Sequence, residues 1–326
     1  MPTAMKASSQ EPARTALDAP LVCLMGPTAA GKTAVAVALA ERLPVALISV
    51  DSAQVYRHMD IGTGKLTAAE RERAPHALID IIDPENIYSA ANFAEDARAA
   101  LALAWDAGKL PVLVGGTGLY FQALLQGLAK LPQADSELRD ALSADAAIHG
   151  WAHLHARLAQ LDPPSAARLH PNDAQRIQRA LEVCIVSGKA MSELLADTST
   201  NALSAHTLKI VAAPASRATL HARIHTRFAA MLDAGLIDEV QALRLRPGVH
   251  AQLPSMRSVG YRQTWAYLDG ELSREMLLER GVIATRQLAR RQLTWLRAQQ
   301  QAEWFDSTDM QQQRAIVARV EAWARP

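Results

Sequence analysis

A chain of 326 residues is long enough for one large domain or two ordinary ones, and 49% apolar residues suffice for a sizeable buried core. Its 34 Lys and Arg stand against 33 Asp and Glu, so a wholesale polycation is excluded while a local basic face is not. No apolar run approaches the roughly 20 residues of a membrane span, and two isolated cysteines, Cys23 and Cys184, argue against a disulfide framework or a structural zinc site and suit a reducing cytoplasm.

Residues 1–19 are polar and Ala-rich with no hydrophobic segment, and read as a disordered tail rather than a secretory signal. The run from Leu21 to Met25 predicts a strand that ends in Gly26-Pro27-Thr28-Ala29-Ala30-Gly31-Lys32-Thr33, and a helix follows from Lys32 to about Leu43. This is G-x-x-x-x-G-K-[ST] in its required strand–loop–helix setting, a phosphate-binding P-loop. The glycines let N–H groups turn toward phosphate oxygens, and the helix N-terminus adds its positive end. Lys32 supplies a mobile cation, and the Thr33 hydroxyl is a candidate ligand for Mg2+.

Further apolar runs from Val45 to Val50, Ala77 to Ile82, Leu110 to Val114 and Leu208 to Ala213 predict strands, and Ala90 to Ala107 a helix. Continuous apolar strands alternating with helices indicate a parallel sheet covered on both faces. Between the fourth and fifth strands, Leu, Ala, Arg and His recur at helical spacing with breaks at Pro132, Pro163-Pro164 and Pro171. The expected architecture is α/β, a P-loop NTPase-like parallel sheet core formed by residues 20–123 and 207–326. An inserted all-helical domain occupies residues 124–206, and mostly helix follows the fifth strand.

The P-loop alone does not name a reaction. From spacing, a nucleotide hydrolase or small-molecule kinase is the default, with Asp51 or Asp80 as the strand-end carboxylate beside Mg2+. A noncatalytic RNA-binding module is a third class, against which the Gly-Lys-Thr loop and Asp51 argue.

Further stretches change that default. Val50-Asp51-Ser52-Ala53-Gln54-Val55-Tyr56 follows the second strand, then Met59-Asp60-Ile61-Gly62-Thr63-Gly64-Lys65 and Pro75-His76-Ala77-Leu78-Ile79-Asp80. Val114 to Tyr120, His170-Pro-Asn-Asp173, Gln175 to Glu182, Val259-Gly260-Tyr261-Arg262-Gln263 and Ala284 to Arg297 come after. In this order, from about Leu21 to Phe305, the set resembles the bacterial tRNA dimethylallyltransferases, the tRNA isopentenyltransferase family. Ala30 stands where many members have Ser and Gly118 where many have Met, and the zinc-finger extension of eukaryotic relatives is absent.

The resemblance implies transfer of a dimethylallyl group from dimethylallyl diphosphate to N6 of adenosine 37, next to the anticodon, in tRNAs reading codons that begin with U. It implies a monomer that binds dimethylallyl diphosphate and a tRNA anticodon stem-loop. The diphosphate would lie on Gly26 to Thr33, with Arg223 and Arg227, four apart on one helical face, reaching it. Asp51 would accept the amine proton, and Thr117 would hydrogen-bond at the same sheet edge. The catalytic set is then Asp51, Lys32, Thr33, Thr117 and Arg223.

For tRNA the resemblance implies Asp51, Ser52, Ala53, Gln54, Thr117 and Arg139, with Gln175, Arg176, Ile177, Gln178 and Arg179 of the inserted domain. Met256, Arg257, Ser258, Val259, Gly260 and Tyr261 follow, then Arg286, Arg290, Arg291 and Arg297. Arg286, Arg290 and Arg297 fall within about 40° on a helical wheel, a stripe suited to phosphates. The base would be flipped into a channel between core and inserted domain, with Gln54 reading or wedging its neighbour.

Overall fold

The computed structural model describes residues 19–133, 135–196, 202–203 and 205–324. Apart from Ala19, the expected N-terminal tail lies outside the described residues. The described residues fall into two compact units, those of 19–125 with 203–324 and those of 126–202.

The larger unit opens with β1 (Pro20–Met25), α1 (Lys32–Arg42), β2 (Val45–Val50), α2 (Ala68–Arg73), β3 (His76–Ala77), α3 (Ala90–Asp106), β4 (Leu110–Gly115) and α4 (Gly118–Leu125). All six strands of its sheet pair in parallel, in the order β3-β2-β4-β1-β5-β6, where β5 is His206–Ala213 and β6 is Glu303–Asp306. The remaining helices are α10 (Arg217–Asp233), α11 (Leu236–Arg244), α12 (Tyr261–Leu268), α13 (Arg274–Arg297) and α14 (Met310–Ala324).

Alternation along β1 explains why its whole sequence is apolar. Val22 and Leu24 join a cluster with Val35 and Leu39 of α1 and Ile316 and Val320 of α14. Leu21, Cys23 and Met25 point the other way, onto Phe93, Leu101 and Phe121 of α3 and α4. A central strand sealed on both sides has no polar face, and each such Leu contributes about 1.5–3 kcal/mol of burial. A third cluster, of α10 to α13, packs Ile224, Phe228, Leu236 and Tyr261 against Val55, Tyr56 and Met59.

Two strands differ from expectation. Of the run from Ala77 to Ile82, Ala77 alone pairs with β2, next to His76, and Ile82 makes a single parallel bridge to Tyr56. Leu78 (φ 63) and Asp80 (φ 57) enter the left-handed region and turn the chain, and Asp80 and Ile81 then donate to Gln54 O and Val55 O. The Asp80 carboxylate meets Lys65 at 2.5 Å and Arg71 at 2.6 Å. Burial raises its pKa, but these two partners outweigh that and hold it below the usual range. Asp80 is thus committed to an ion-pair network, which corrects its reading as a Mg2+ partner. β6 was not expected at all: Glu-Trp-Phe-Asp is short and polar at both ends, and it pairs at the sheet edge with Ile210 to Ala213.

The smaller unit is helical among its described residues: α5 (Ser136–His149), α6 (Trp151–Leu161), α7 (Pro163–Arg168), α8 (Ala174–Ser187) and α9 (Met191–Ala196). Leu142, Leu154, Leu158, Ile177 and Leu181 form its core. Fully buried Glu182 accepts from Asp135 N (2.7 Å), Arg139 Nε (2.9 Å) and Arg179 Nη1 (2.7 Å).

Candidate active site

The sheet presents β1, β2 and β4 with their carboxyl ends together, and the chain leaves each in a tight turn. Gly26 N donates to Gly115 O at 3.2 Å. A Cβ on Gly26 would run into the Ala212 carbonyl, and one on Gly115 into the Val50 carbonyl. Only glycine allows the strand ends to approach this closely. Gly31, at φ 94, caps α1 from the left-handed region and leaves the first N–H groups of the helix facing outward.

Three cations surround this loop. Lys32 Nζ donates to Gly26 O and Pro27 O, both at 2.9 Å, and Arg223 Nε donates to Ala29 O at 2.9 Å. Arg227 Nη2 donates to Thr63 O at 3.3 Å and Gly64 O at 3.5 Å. None of the three has an ion-pair partner among the described residues. Burial pulls Lys32 down to about 8; Asp51 opposes this and Arg227 adds to it. Arg227 is lowered in the same way by burial, and Arg223 adds to its shift against Asp51. Cations gathered where burial disfavours their charge are poised for an anion.

Asp51 ends β2. Its Oδ1 accepts from Ala53 N (2.9 Å) and Gln54 N (3.3 Å), while Oδ2 has no protein partner among the described residues. The turn therefore holds the carboxylate rigid with one oxygen open. Thr117, after β4, accepts the Ser52 N–H at 3.1 Å.

Two adjoining cavities meet at these residues. One, of about 100 Å³, is walled by the P-loop, Ser49, Gln54, His76 and Gly116. The other, of about 260 Å³, takes Ser52, Ala53, Thr117, Arg257, Ser258 and Val259 together with Ile224, Phe228, Met231 and Leu288. Thr28, Asp51, Thr63, Arg227 and Gln292 line both. The smaller is polar and cationic, the larger has an apolar wall, and Asp51 stands at their junction.

The structure brings the P-loop, Asp51, Thr117, Arg223 and Arg227 together at one sheet edge, whereas several other expected residues are buried or engaged within the protein. Ile177, Met256 and Tyr261 are fully buried, so their side chains have no surface for tRNA, and Gly260 is buried as the N-cap of α12. Arg139 and Arg179 are tied to Glu182, and Gln178 donates to Arg139 O and Ser143 Oγ. Gln54 lines only the smaller cavity, accepting from Ser49 Oγ at 3.2 Å. Gln175, Arg176, Arg257, Arg290, Arg291 and Arg297 are exposed, and Arg286 keeps a buried Nε without a partner among the described residues.

Gln292 and Thr63 were missed. Gln292 Oε1 accepts the Thr28 N–H at 2.8 Å and its Nε2 donates to Gly116 O at 3.0 Å. Both residues lay inside stretches that carried the family resemblance, but the basic residues around Gln292 drew attention to phosphates instead. Glu239, which fastens the 60–62 loop, had no motif to signal it.

A model described as IPP transferase matches residues 54–299. A tRNA dimethylallyltransferase of Dechloromonas aromatica is 54% identical over 304 residues, 93% of this chain and 97% of that protein. One of Thiobacillus denitrificans is 58% identical over 279 residues, 86% and 89%. Among solved structures, the tRNA isopentenylpyrophosphate transferase of Bacillus halodurans is 37% identical with a TM-score of 0.68, covering 94% of this chain and 96% of that one. A eukaryotic dimethylallyltransferase acting on tRNA is 26% identical with a TM-score of 0.77, covering 95% and 81%.

Proposed function

The chain belongs to the IPP transferase family of tRNA dimethylallyltransferases, and we propose that it moves a dimethylallyl group from dimethylallyl diphosphate to N6 of adenosine 37 in tRNAs reading codons that begin with U. The carrying observation is the open Oδ2 of Asp51 at the junction of a cationic and an apolar-walled cavity.

An adenine amine is a poor nucleophile because its lone pair is delocalised into the ring. The enzyme must therefore neutralise the leaving diphosphate and accept a proton. In the proposed step N6 attacks C1 of the allyl group. The C–O bond breaks with its electron pair going to diphosphate, and the N6 proton passes to Asp51 Oδ2. The α1 N-terminus, Lys32, Arg223 and Arg227 hold the leaving group, and Ile224, Phe228, Met231 and Leu288 offer the prenyl chain an apolar wall. Thr117, whose oxygen already accepts from Ser52 N, has its hydroxyl hydrogen available to the base.

The Thr33 hydroxyl is exposed and has no hydrogen-bond partner among the described residues, which suits one oxygen ligand of Mg2+, with diphosphate oxygens and water as the others. A bound Mg2+ would supply positive charge against the departing diphosphate.

The target base must leave the anticodon stack to reach this depth. Exposed Arg176, Arg257, Arg290, Arg291 and Arg297 are the proposed phosphate contacts, without a part for the side chains of Ile177, Met256 or Tyr261. The enzyme is taken to work as a cytoplasmic monomer; no helix among the described residues is long and apolar enough to cross a membrane.

Incubation with labelled dimethylallyl diphosphate, Mg2+ and unmodified tRNA tests the reading: label should enter tRNA at adenosine 37. ATP turnover without label in tRNA would point to a kinase or hydrolase instead. Asp51→Ala should lower the rate about 10²–10⁴-fold with diphosphate affinity nearly unchanged; an undiminished rate would remove Asp51 as the base.

A further inference from the structure

The Thr28 N–H sits in the crown of the P-loop, where such a loop ordinarily offers a donor to phosphate. Here that donor is occupied. It is held by Gln292 Oε1 at 2.8 Å, from a residue of the 24-residue helix α13. Gln292 is itself fixed through Nε2 to Gly116 O at 3.0 Å, so closely that a Cβ on Gly116 would lie 2.5 Å from Nε2. The Ala30 N–H is turned back to Pro27 O at 3.3 Å. The donors left uncommitted among the described residues are the N–H group of Ala29 and, at the start of α1, those of Gly31, Lys32 and Thr33.

From this the geometry points to Gln292 as a specificity-determining residue that limits the loop to two phosphates. The inference rests on the reading of this loop as a diphosphate site. A diphosphate can be held by the helix N-terminus, Lys32, Arg223 and Arg227. A third phosphate running on along the loop would arrive at Thr28. There it would find the N–H taken and the lone pairs of the Gln292 carbonyl oxygen in its path. Gln292 lines both cavities, so the same side chain closes the polar cavity where the larger one begins. An uncharged allyl group passes that point without needing a donor, whereas a polyphosphate is refused. A P-loop of the kind that elsewhere takes nucleoside triphosphates is converted in this way to a diphosphate holder.

The test is calorimetric titration of the full chain with inorganic diphosphate and with tripolyphosphate, each with Mg2+, for wild type, Gln292→Ala and Gln292→Ser. Melting curves establish that the variants are folded. The wild type should prefer diphosphate by at least about tenfold, the worth of one hydrogen bond to a charged group. In either variant the freed Thr28 N–H should bring the two affinities within roughly threefold of each other by the same reasoning. A folded variant that keeps the wild-type preference overturns the assignment, and so does a wild type that binds both equally. If neither variant folds, the wild-type preference, measured also against ATP as competitor, decides. A wild type that binds no diphosphate overturns the reading of the loop itself, a result distinct from an unchanged preference.

Discussion

The Glu239 carboxylate accepts the Tyr261 hydroxyl at 2.6 Å while also accepting the N–H groups of Asp60, Ile61 and Gly62 at 2.8, 2.7 and 3.1 Å. One side chain of α11 thus joins the loop that carries Thr63 to the start of α12, whose preceding residues Ser258 and Val259 line the larger cavity. Burial, with Glu239 next to it, pushes the Tyr261 phenol well above its ordinary range, so it remains a donor at any working pH.

Removing this joint should loosen both walls together. Glu239→Ala leaves three N–H groups and a buried hydroxyl without acceptors, and should destabilise the chain by roughly 3 kcal/mol or more. Tyr261→Phe removes one bond only and should cost about 1–2 kcal/mol. Denaturant melts of the two variants check the ranking; equal losses would contradict it.

Diphosphate affinity should weaken as pH rises through about 8, where Lys32 loses its proton in the ligand-free chain. A bound diphosphate would restore that charge, so binding near pH 8 should take up protons. Stability of the free chain moves the opposite way. Between about 8 and the ordinary lysine value of 10.5 the unfolded chain holds more protons than the folded one, and stability gains with pH across that window. Titration in buffers of different ionisation enthalpy measures the uptake. Lys32→Arg, which stays charged, should flatten the pH dependence of affinity.

Gly281 offers a test with an unusual sign. In an exposed helix interior Gly→Ala stabilises by about 1 kcal/mol. Here a Cβ at Gly281 would run into the ring of Phe228, which is 3% exposed and forms part of the wall of the larger cavity. Gly281→Ala should therefore cost about 1–3 kcal/mol and raise KM for dimethylallyl diphosphate more than it lowers kcat. A stabilised, kinetically normal variant would show that the ring has room to yield.

In the helical unit, Arg139→Ala should destabilise by about 1–3 kcal/mol, because it withdraws one of two cations from a fully buried carboxylate and the arginine is itself 40% exposed. Burial raises the Glu182 pKa, yet hydrogen bonds from Arg139 and Arg179 outweigh this and hold it low. The stabilisation is thus complete above the ordinary glutamate range and is lost as pH falls below it. Urea melts at pH 7 and pH 3 should show the Arg139→Ala effect shrinking in acid.

The features legible in the sequence are those in which neighbours along the chain cooperate. The P-loop was legible because its glycines, Lys32 and Thr33 act through one turn and the helix that follows. β1 and β4 were legible because burial on both faces leaves no polar side chain in them. Asp51 could be placed because a parallel sheet gathers strand ends at one edge, and two residues after it complete its turn.

Tertiary structure decided the rest. The stretch after Ala77 is as apolar as a strand, but Leu78 and Asp80 turn left-handed to meet Gln54, Val55, Lys65 and Arg71, partners no local pattern contains. Ile177, Met256 and Tyr261 share segments with exposed arginines, and only packing shows which side faces inward. Gln292 and Thr28 stand 264 residues apart, Glu239 and Asp60 179 apart. A hydrogen bond across such a separation leaves no periodicity or spacing to read. The sequence by itself marked Gly26 to Thr33 as a P-loop in its strand–loop–helix setting; the Gln292 side chain that occupies its Thr28 N–H is brought there only by the folded α13.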